Sequence, residues 1–102
     1  MDQRAIELHP EAIAEARAAR EWYAERSTIA ANAFMAELDV AIDRICESPE
    51  RWAADLHGTR RYLMNRFPFV VVYRVTEDKI QVIAVAHGKR KPGYWRHRVH
   101  SP

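Results

Sequence analysis

The residues best suited to chemistry are concentrated near the end of the chain, in the stretch AVAHGKRKPGYWRHR at residues 84–98. An apolar run passes there directly into five basic residues, two histidines and a Tyr-Trp pair. Cleavage of RNA by attack of its own 2′-hydroxyl needs only a base, an acid and cations beside the phosphate. These residue types therefore fit two uses, which are cutting RNA or binding an acidic macromolecule.

The candidate residues for the two uses overlap. For catalysis, His87 or Tyr94 could transfer protons while Arg61 and Arg90 stabilise the phosphate. For binding, arginine side chains would pair with the carboxylates of a partner, and aromatic side chains would supply packing area. A third interpretation makes His87 a structural residue whose ring bonds a backbone carbonyl. The predicted target-binding residues are Arg60, Arg61, His87, Lys89, Arg90, Tyr94, Trp95 and Arg96.

Other kinds of site are not indicated by the sequence. The histidines show no spacing with cysteine or carboxylates that would suit a metal, and His97 and His100 lie among cations that would repel one. Gly58, Gly88 and Gly93 are isolated, so there is no glycine-rich phosphate loop. We therefore predict no metal and no cofactor.

Charge is divided unevenly along the chain, although the formal total is only +2. Residues 1–55 hold 6 Arg and 12 Asp or Glu, which gives −6. Residues 56–102 hold 10 Lys or Arg and 2 Asp or Glu, which gives +8. This division predicts an acidic flank and a basic flank, and the basic flank should attract nucleic acid or an acidic protein.

Length and composition indicate one globular domain over residues 1–102, since 48% of the residues are hydrophobic and 29% are charged. The first residues, MDQRAIELHPE, lack the basic and apolar regions of a signal peptide. The longest apolar run has seven residues, against the ~20 that cross a membrane. Cys46 is the single cysteine, which fits a reducing compartment. We expect a cytoplasmic protein without membrane contact.

Hydrophobic periodicity predicts an α+β domain of order β-α-α-β-β-β, with a helical hairpin packed on a mostly antiparallel, curved sheet. The segments FVVVY and IQVIAVA are almost continuously apolar, which predicts central strands with helices on one face. Ser48-Pro49 should end the second helix, because proline cannot continue the hydrogen-bond ladder. The predicted elements are a strand at 4–8, helices at 10–25 and 28–47, and strands at 60–67, 69–76 and 80–86.

The same periodicities predict one core between the helices and the sheet. A stripe of small residues on the first helix should allow close backbone approach to a neighbour. We expect Trp22 and Trp52 to anchor the core or a loop rather than to stack on a ligand. The stripe is Ala12, Ala16, Ala19 and Tyr23, and the predicted core is Ile6, Tyr23, Phe34, Leu38, Ile42, Val71 and Val82.

Several segments taken together resemble the RelE/ParE superfamily of type II toxins. They are HPEA after the first strand, the Trp22-Tyr23 pair, SPERW, RRYLMNRFPFVVVYRV and IAVAHGKRKPGYWRHR. The likeness covers almost the whole chain, and the family fold has the element order predicted above. The resemblance implies a toxin that forms a hetero-oligomer with a cognate antitoxin, ParD-like or similar. The acidic and apolar C-terminal segment of such an antitoxin wraps over the toxin.

The superfamily divides by target, and the resemblance favours its ParE-like, plasmid-stabilisation branch, whose members bind DNA gyrase. RelE-type members instead cut mRNA in the ribosome. Arg90 matches a RelE-type arginine, but Val70 and Arg96 stand where that branch has an arginine and a tyrosine. The resemblance therefore implies growth inhibition through binding rather than catalysis. The alternatives are a RelE-like mRNA endonuclease that uses Arg61, His87, Arg90 and Tyr94, and a toxin fold that only binds partners.

Overall fold

A computed structural model of the chain describes residues 4–99. The predicted α+β architecture is confirmed, with a very short additional strand and a C-terminal helical turn. None of the helices within these residues is long and apolar enough to cross a membrane. The elements are β1 (Ala5–Leu8), α1 (Pro10–Ala24), α2 (Thr28–Glu47), β2 (Ala53–Ala54), a 3-10 turn (Leu56–Gly58), β3 (Arg60–Leu63), β4 (Phe69–Val75), β5 (Lys79–His87) and α3 (Arg96–Val99).

Local capping sets the ends of both long helices. The His9 ring accepts a hydrogen bond from the Glu11 amide at 3.1 Å, and Pro10 fills the first helical position. At the start of α2, the Ser27 hydroxyl accepts from the Ala30 amide at 3.2 Å. The helix ends at Glu47, directly before Ser48-Pro49, as predicted.

The five strands form one sheet in the order β1-β5-β4-β3-β2. β1 runs parallel to β5, whereas the other three pairings are antiparallel. The predicted strand at 60–67 is shorter in the structure and ends at Leu63. The reason is a turn in which Arg66 adopts a left-handed backbone conformation with φ 70°, which extended strands cannot contain.

A β-bulge interrupts the alternation of side chains in β5, within IQVIAVA. Val72 pairs with Ala84 and Tyr73 pairs with Val82, so Ile83 has no partner on β4. Ile83 and Ala84 consequently point to the same face of the sheet, away from the helices. Val82 and Val85 point toward the helices. A strict period of two is therefore broken at one position.

The helical hairpin covers the inner face of the sheet, and most of the predicted core is confirmed there. Phe34, Leu38, Val71 and Val82 are at most 4% exposed. Tyr23 and Ile42 are partly buried at the edge of this core. Ile6 was predicted wrongly, because it is 38% exposed. It lies on β1, an edge strand that has a neighbouring strand on one side only.

The predicted small-residue stripe on α1 is also confirmed. Ala12, Ala16 and Ala19 are buried, so the backbone of α1 lies close to β5. Tyr23 continues the stripe and stacks on Phe34 with ring centroids 5.5 Å apart. The stripe thus serves packing within the domain.

The outer face of the sheet, opposite the predicted helices, is covered too. Trp95 and Val99 from the end of the chain pack on Val72, Ile83 and Ala84, forming a second apolar cluster. Trp95 is 3% exposed there. The central strands are almost continuously apolar because both of their faces are buried.

Tyr73 gives this fold a measurable dependence on alkaline pH. Its side chain is fully buried and its hydroxyl donates a hydrogen bond to the Pro49 carbonyl, and burial raises its pKa from 10.0 to about 12. In the unfolded chain the phenol ionises near pH 10, so its contribution to stability is complete below pH 10 and lost as pH rises toward 12. Wild type should lose about 2 kcal/mol more than Tyr73→Phe between pH 9 and pH 11.5 in urea unfolding. Equal losses would contradict this assignment.

Candidate functional site

An apolar groove of about 450 Å³ lies between α1 and the ends of β4 and β5. Its apolar lining includes Ala18 and Trp22 from α1 and Phe69 from β4. The imidazole of His87 and the guanidinium of Arg90 contribute cationic or polar groups to the same surface. The groove therefore combines apolar packing area with basic character, which suits a segment carrying both apolar and acidic side chains.

Trp22 was predicted to anchor the core or a loop, but it is 51% exposed at the groove. The Arg26 guanidinium lies over the indole, 3.6 Å from the ring centroid, and holds it in place. Spacing could have revealed this surface, because Glu15, Ala18 and Trp22 recur at intervals of three and four and share one side of α1. Trp22 is thus a binding candidate that sequence reasoning missed.

A buried cluster of polar groups closes one end of the groove. Arg98 is only 5% exposed, and its two terminal nitrogens donate to the two carboxylate oxygens of Glu15 at 2.8 and 3.1 Å. The Tyr94 hydroxyl donates to the same carboxylate in a very short hydrogen bond. Glu15 therefore ties the end of the chain to α1.

The same two charged residues cap an open edge of the sheet. The pairing of β1 with β5 ends at Val82, so within residues 4–99 the later part of β5 has no neighbouring strand on that side. Glu15 accepts from the Val85 amide at 3.0 Å, and Arg98 donates to the Ile83 carbonyl at 3.1 Å. Two side chains thus supply the hydrogen bonds that another strand would have made.

Tyr94 cannot supply a catalytic base in this arrangement. Burial and the hydrogen bond to Glu15 raise the pKa of its phenol far above physiological pH. The ring is also covered by Arg90, whose guanidinium carbon lies 3.8 Å from the ring centroid. Tyr94 therefore remains neutral, with its proton directed at a carboxylate inside the protein.

His87 has a local structural contact of a different kind from the predicted one. Its Nδ1 accepts a hydrogen bond from the Lys89 amide at 3.1 Å, where the sequence suggested a bond to a carbonyl. The ring packs edge-on against Phe69, with centroids 5.1 Å apart. These contacts fix the turn that leaves β5 and leave the imidazole at the groove surface.

The sheet separates the members of the predicted catalytic set. Arg61 pairs with Val72, whose side chain belongs to the outer apolar cluster, so Arg61 projects from the outer face. His87 pairs with Phe69, which packs toward the helical core, so His87 projects from the inner face. Arg61 and His87 therefore do not converge on one phosphate.

The predicted target-binding residues also fall into separate groups. The groove brings His87, Arg90 and Tyr94 together. Arg60 is half-buried, and its guanidinium donates to the Trp52 carbonyl at 2.8 Å. The remaining members differ in exposure, with Arg61, Lys89 and Arg96 exposed and Trp95 buried.

The burial of Trp95 corrects the expectation that it offers packing area to a partner. Its indole is used within the domain, against the outer face of β4 and β5. The end of the chain is held there by further contacts to α1, among them a 3.1 Å bond between His97 and Glu11. His100, the other late histidine considered above, lies outside the described residues.

Comparisons with known proteins agree with this fold. The family profile described as "ParE toxin of type II toxin-antitoxin system, parDE" matches residues 6–92. Among solved structures, a chain of the chromosomal ParDE toxin–antitoxin system from P. aeruginosa superposes with a TM-score of 0.73 at 17% sequence identity. The match covers 82% of this chain and 95% of that chain. No curated protein matches. With the profile extending over most of the β-α-α-β-β-β fold, the chain belongs to the ParE toxin family of type II toxin–antitoxin systems.

Proposed function

We propose that this chain is a cytoplasmic toxin that inhibits growth by binding DNA gyrase, and that a cognate antitoxin neutralises it. The observation that supports action by binding is the separation of the candidate catalytic groups. Arg61 and His87 project from opposite faces of the sheet, and the Tyr94 hydroxyl is committed to Glu15. Membership of the ParE family supports gyrase as the target.

The apolar groove is the proposed docking site of the antitoxin. Its apolar lining from α1 and β4 would receive hydrophobic side chains of an antitoxin segment. His87 and Arg90 on the same surface would attract the acidic side chains of that segment. Trp22 should contribute most, because exposed aromatic side chains dominate protein interfaces.

Trp22→Ala should weaken the complex with the antitoxin, taken as the product of the adjacent gene, by at least about 2 kcal/mol, or about 30-fold in Kd. Isothermal titration calorimetry measures this directly. Ile29→Ala is the matched control, since Ile29 is an exposed apolar residue (82%) at the start of α2 and outside the groove. Equal affinities for Trp22→Ala and wild type would exclude the groove as the docking site.

The target is tested by inducing the protein without its antitoxin. We expect DNA breaks and an SOS-type response, together with gyrase-dependent DNA cleavage by the purified protein. Arrest of translation with cut mRNA, in the absence of DNA breaks, would refute the gyrase proposal. Co-expression of the adjacent gene should relieve the growth defect, and failure to do so would count against neutralisation.

His87→Gln separates binding from catalysis at the groove. Glutamine retains hydrogen-bonding capacity but cannot transfer protons near neutral pH, so toxicity should change less than about threefold. A general acid or base would instead contribute a factor of roughly 10²–10⁴ in rate. The measurement compares the inducer concentration at which wild type and His87→Gln arrest growth. A loss of toxicity of that size, with an unchanged melting curve, would favour the endonuclease.

A further inference from the structure

Four cations project from two adjoining turns at one end of the sheet. We call Arg66, Lys89, Arg90 and Lys91 the basic tip. We propose that the basic tip binds the phosphodiester backbone of duplex DNA without reading its sequence. The proposal does not depend on gyrase as the target, because the ligand is DNA alone.

Backbone hydrogen bonds hold the two turns of the basic tip together. The Gly88 amide donates to the Pro68 carbonyl at 2.8 Å, which joins the turn after β5 to the turn before β4. The Arg90 amide donates to the His87 carbonyl at 3.0 Å and closes the second turn. Arg66 lies two residues before Pro68, so all four cations belong to the same end of the molecule.

The cations of the basic tip are available to an external anion. All four side chains belong to exposed residues, and no ion pair joins any of them to a carboxylate within residues 4–99. The α1 carboxylates nearest to this part of the chain form hydrogen bonds with other residues. Glu15 bonds Arg98 and Tyr94, and Glu11 bonds His97.

The backbone of Arg66 provides a second, independent observation. Its φ of 70° lies in the left-handed region, which is uncommon for a residue other than glycine and strains the backbone. Such strain is often kept where a side chain has a function. Here it places a cation at the turn that adjoins Lys89, Arg90 and Lys91.

Apart from Arg90, which also lines the groove, the basic tip has the chemistry of a nucleic-acid contact rather than that of a protein interface. A protein interface is centred on large apolar or aromatic anchors. The basic tip contains none, and the adjacent Trp95 is buried. Binding to a phosphate backbone needs only cations. Because single strands are held largely by stacking on aromatic side chains, a tip made of cations alone favours a duplex.

Fluorescence anisotropy with a labelled random-sequence 30-base-pair duplex tests the proposal. Four phosphate contacts predict that log Kobs falls with log salt at a slope of about −3.6. In Lys89→Gln/Lys91→Gln the slope should be about −1.8, and affinity at 0.1 M salt should fall roughly 60-fold if the 1 M affinity is unchanged. Circular dichroism melting verifies that the variant is folded.

Arg17→Gln/Arg20→Gln is the matched control, because it removes the same charge. Both arginines are exposed on α1, and the turn of about 100° per residue places them roughly 100–160° around the helix from the groove residues Ala18 and Trp22. Its affinity for the duplex should stay within about twofold of wild type. The proposal is overturned if wild type does not bind the duplex at 50 mM salt, or if both double variants lose the same amount of duplex affinity. It is also overturned if wild type binds a single strand more tightly than the duplex. A Lys89→Gln/Lys91→Gln variant that loses affinity for the antitoxin but keeps its affinity for DNA would also overturn it.

Discussion

Replacement of Arg98 by alanine is expected to lower the free energy of unfolding by about 3–5 kcal/mol. The guanidinium is 5% exposed and pairs with the Glu15 carboxylate, whose own side chain is 17% exposed. Burial alone lowers the pKa of Arg98, but the Glu15 hydrogen bonds and charge outweigh it and raise that pKa. Alanine would leave a buried carboxylate without its counter-charge and the Ile83 carbonyl without its donor. Urea unfolding at pH 7 measures the effect.

Lys79→Ala is the control for this prediction. Lys79 forms an ion pair with Glu7 at 3.2 Å, but both side chains are more than 40% exposed. Exposed pairs contribute about 0–1 kcal/mol, so this variant should be close to wild type. Hydrogen exchange provides a second measurement, since the Val85 amide should lose protection in Glu15→Ala, which removes its acceptor. A cost below 1 kcal/mol for Arg98→Ala would mean that the cluster does not hold the end of the chain on the sheet.

Trp95→Ala is expected to cost about 3–5 kcal/mol as well, through loss of packing rather than loss of charge. The indole fills the space between α3 and the outer face of the sheet, against Val72 and Ile83. Removing it leaves a cavity that neighbouring side chains cannot fill. Chemical denaturation and thermal melting report the change.

Trp22→Ala is the matched control, because it removes the same side chain from a site that is 51% exposed. Its cost in stability should be below about 1 kcal/mol. The two variants distinguish a role in folding from a role in binding. Trp95→Ala would abolish toxicity by unfolding the protein, whereas Trp22→Ala would leave a folded protein whose groove binds more weakly. A Trp95→Ala variant as stable as wild type would restore the contact role suggested by the sequence.

The elements that could be predicted from the amino-acid sequence are those with local causes. The predicted second helix, 28–47, has the bounds observed for α2, because Ser27 caps its start and Ser48-Pro49 follows its end. Phe34 and Leu38 were assigned to the core from helical spacing, which directly reports the face that a helix buries. The ParE-like interpretation likewise rested on the order of such segments and is supported by the family match.

The contacts of residues 94–98 could not be predicted from local sequence patterns, because they join segments that are far apart in the chain. Glu15 and Arg98 are 83 positions apart, and no periodicity indicates that they meet. Their pairing holds Trp95 on the outer face of the sheet, whereas Lys89, Arg90 and Lys91 of the same stretch remain exposed. The same limit applies to Ile6, whose exposure follows from the edge position of β1. Local patterns report how a segment folds, whereas burial and charge pairing depend on which segments meet across the sheet.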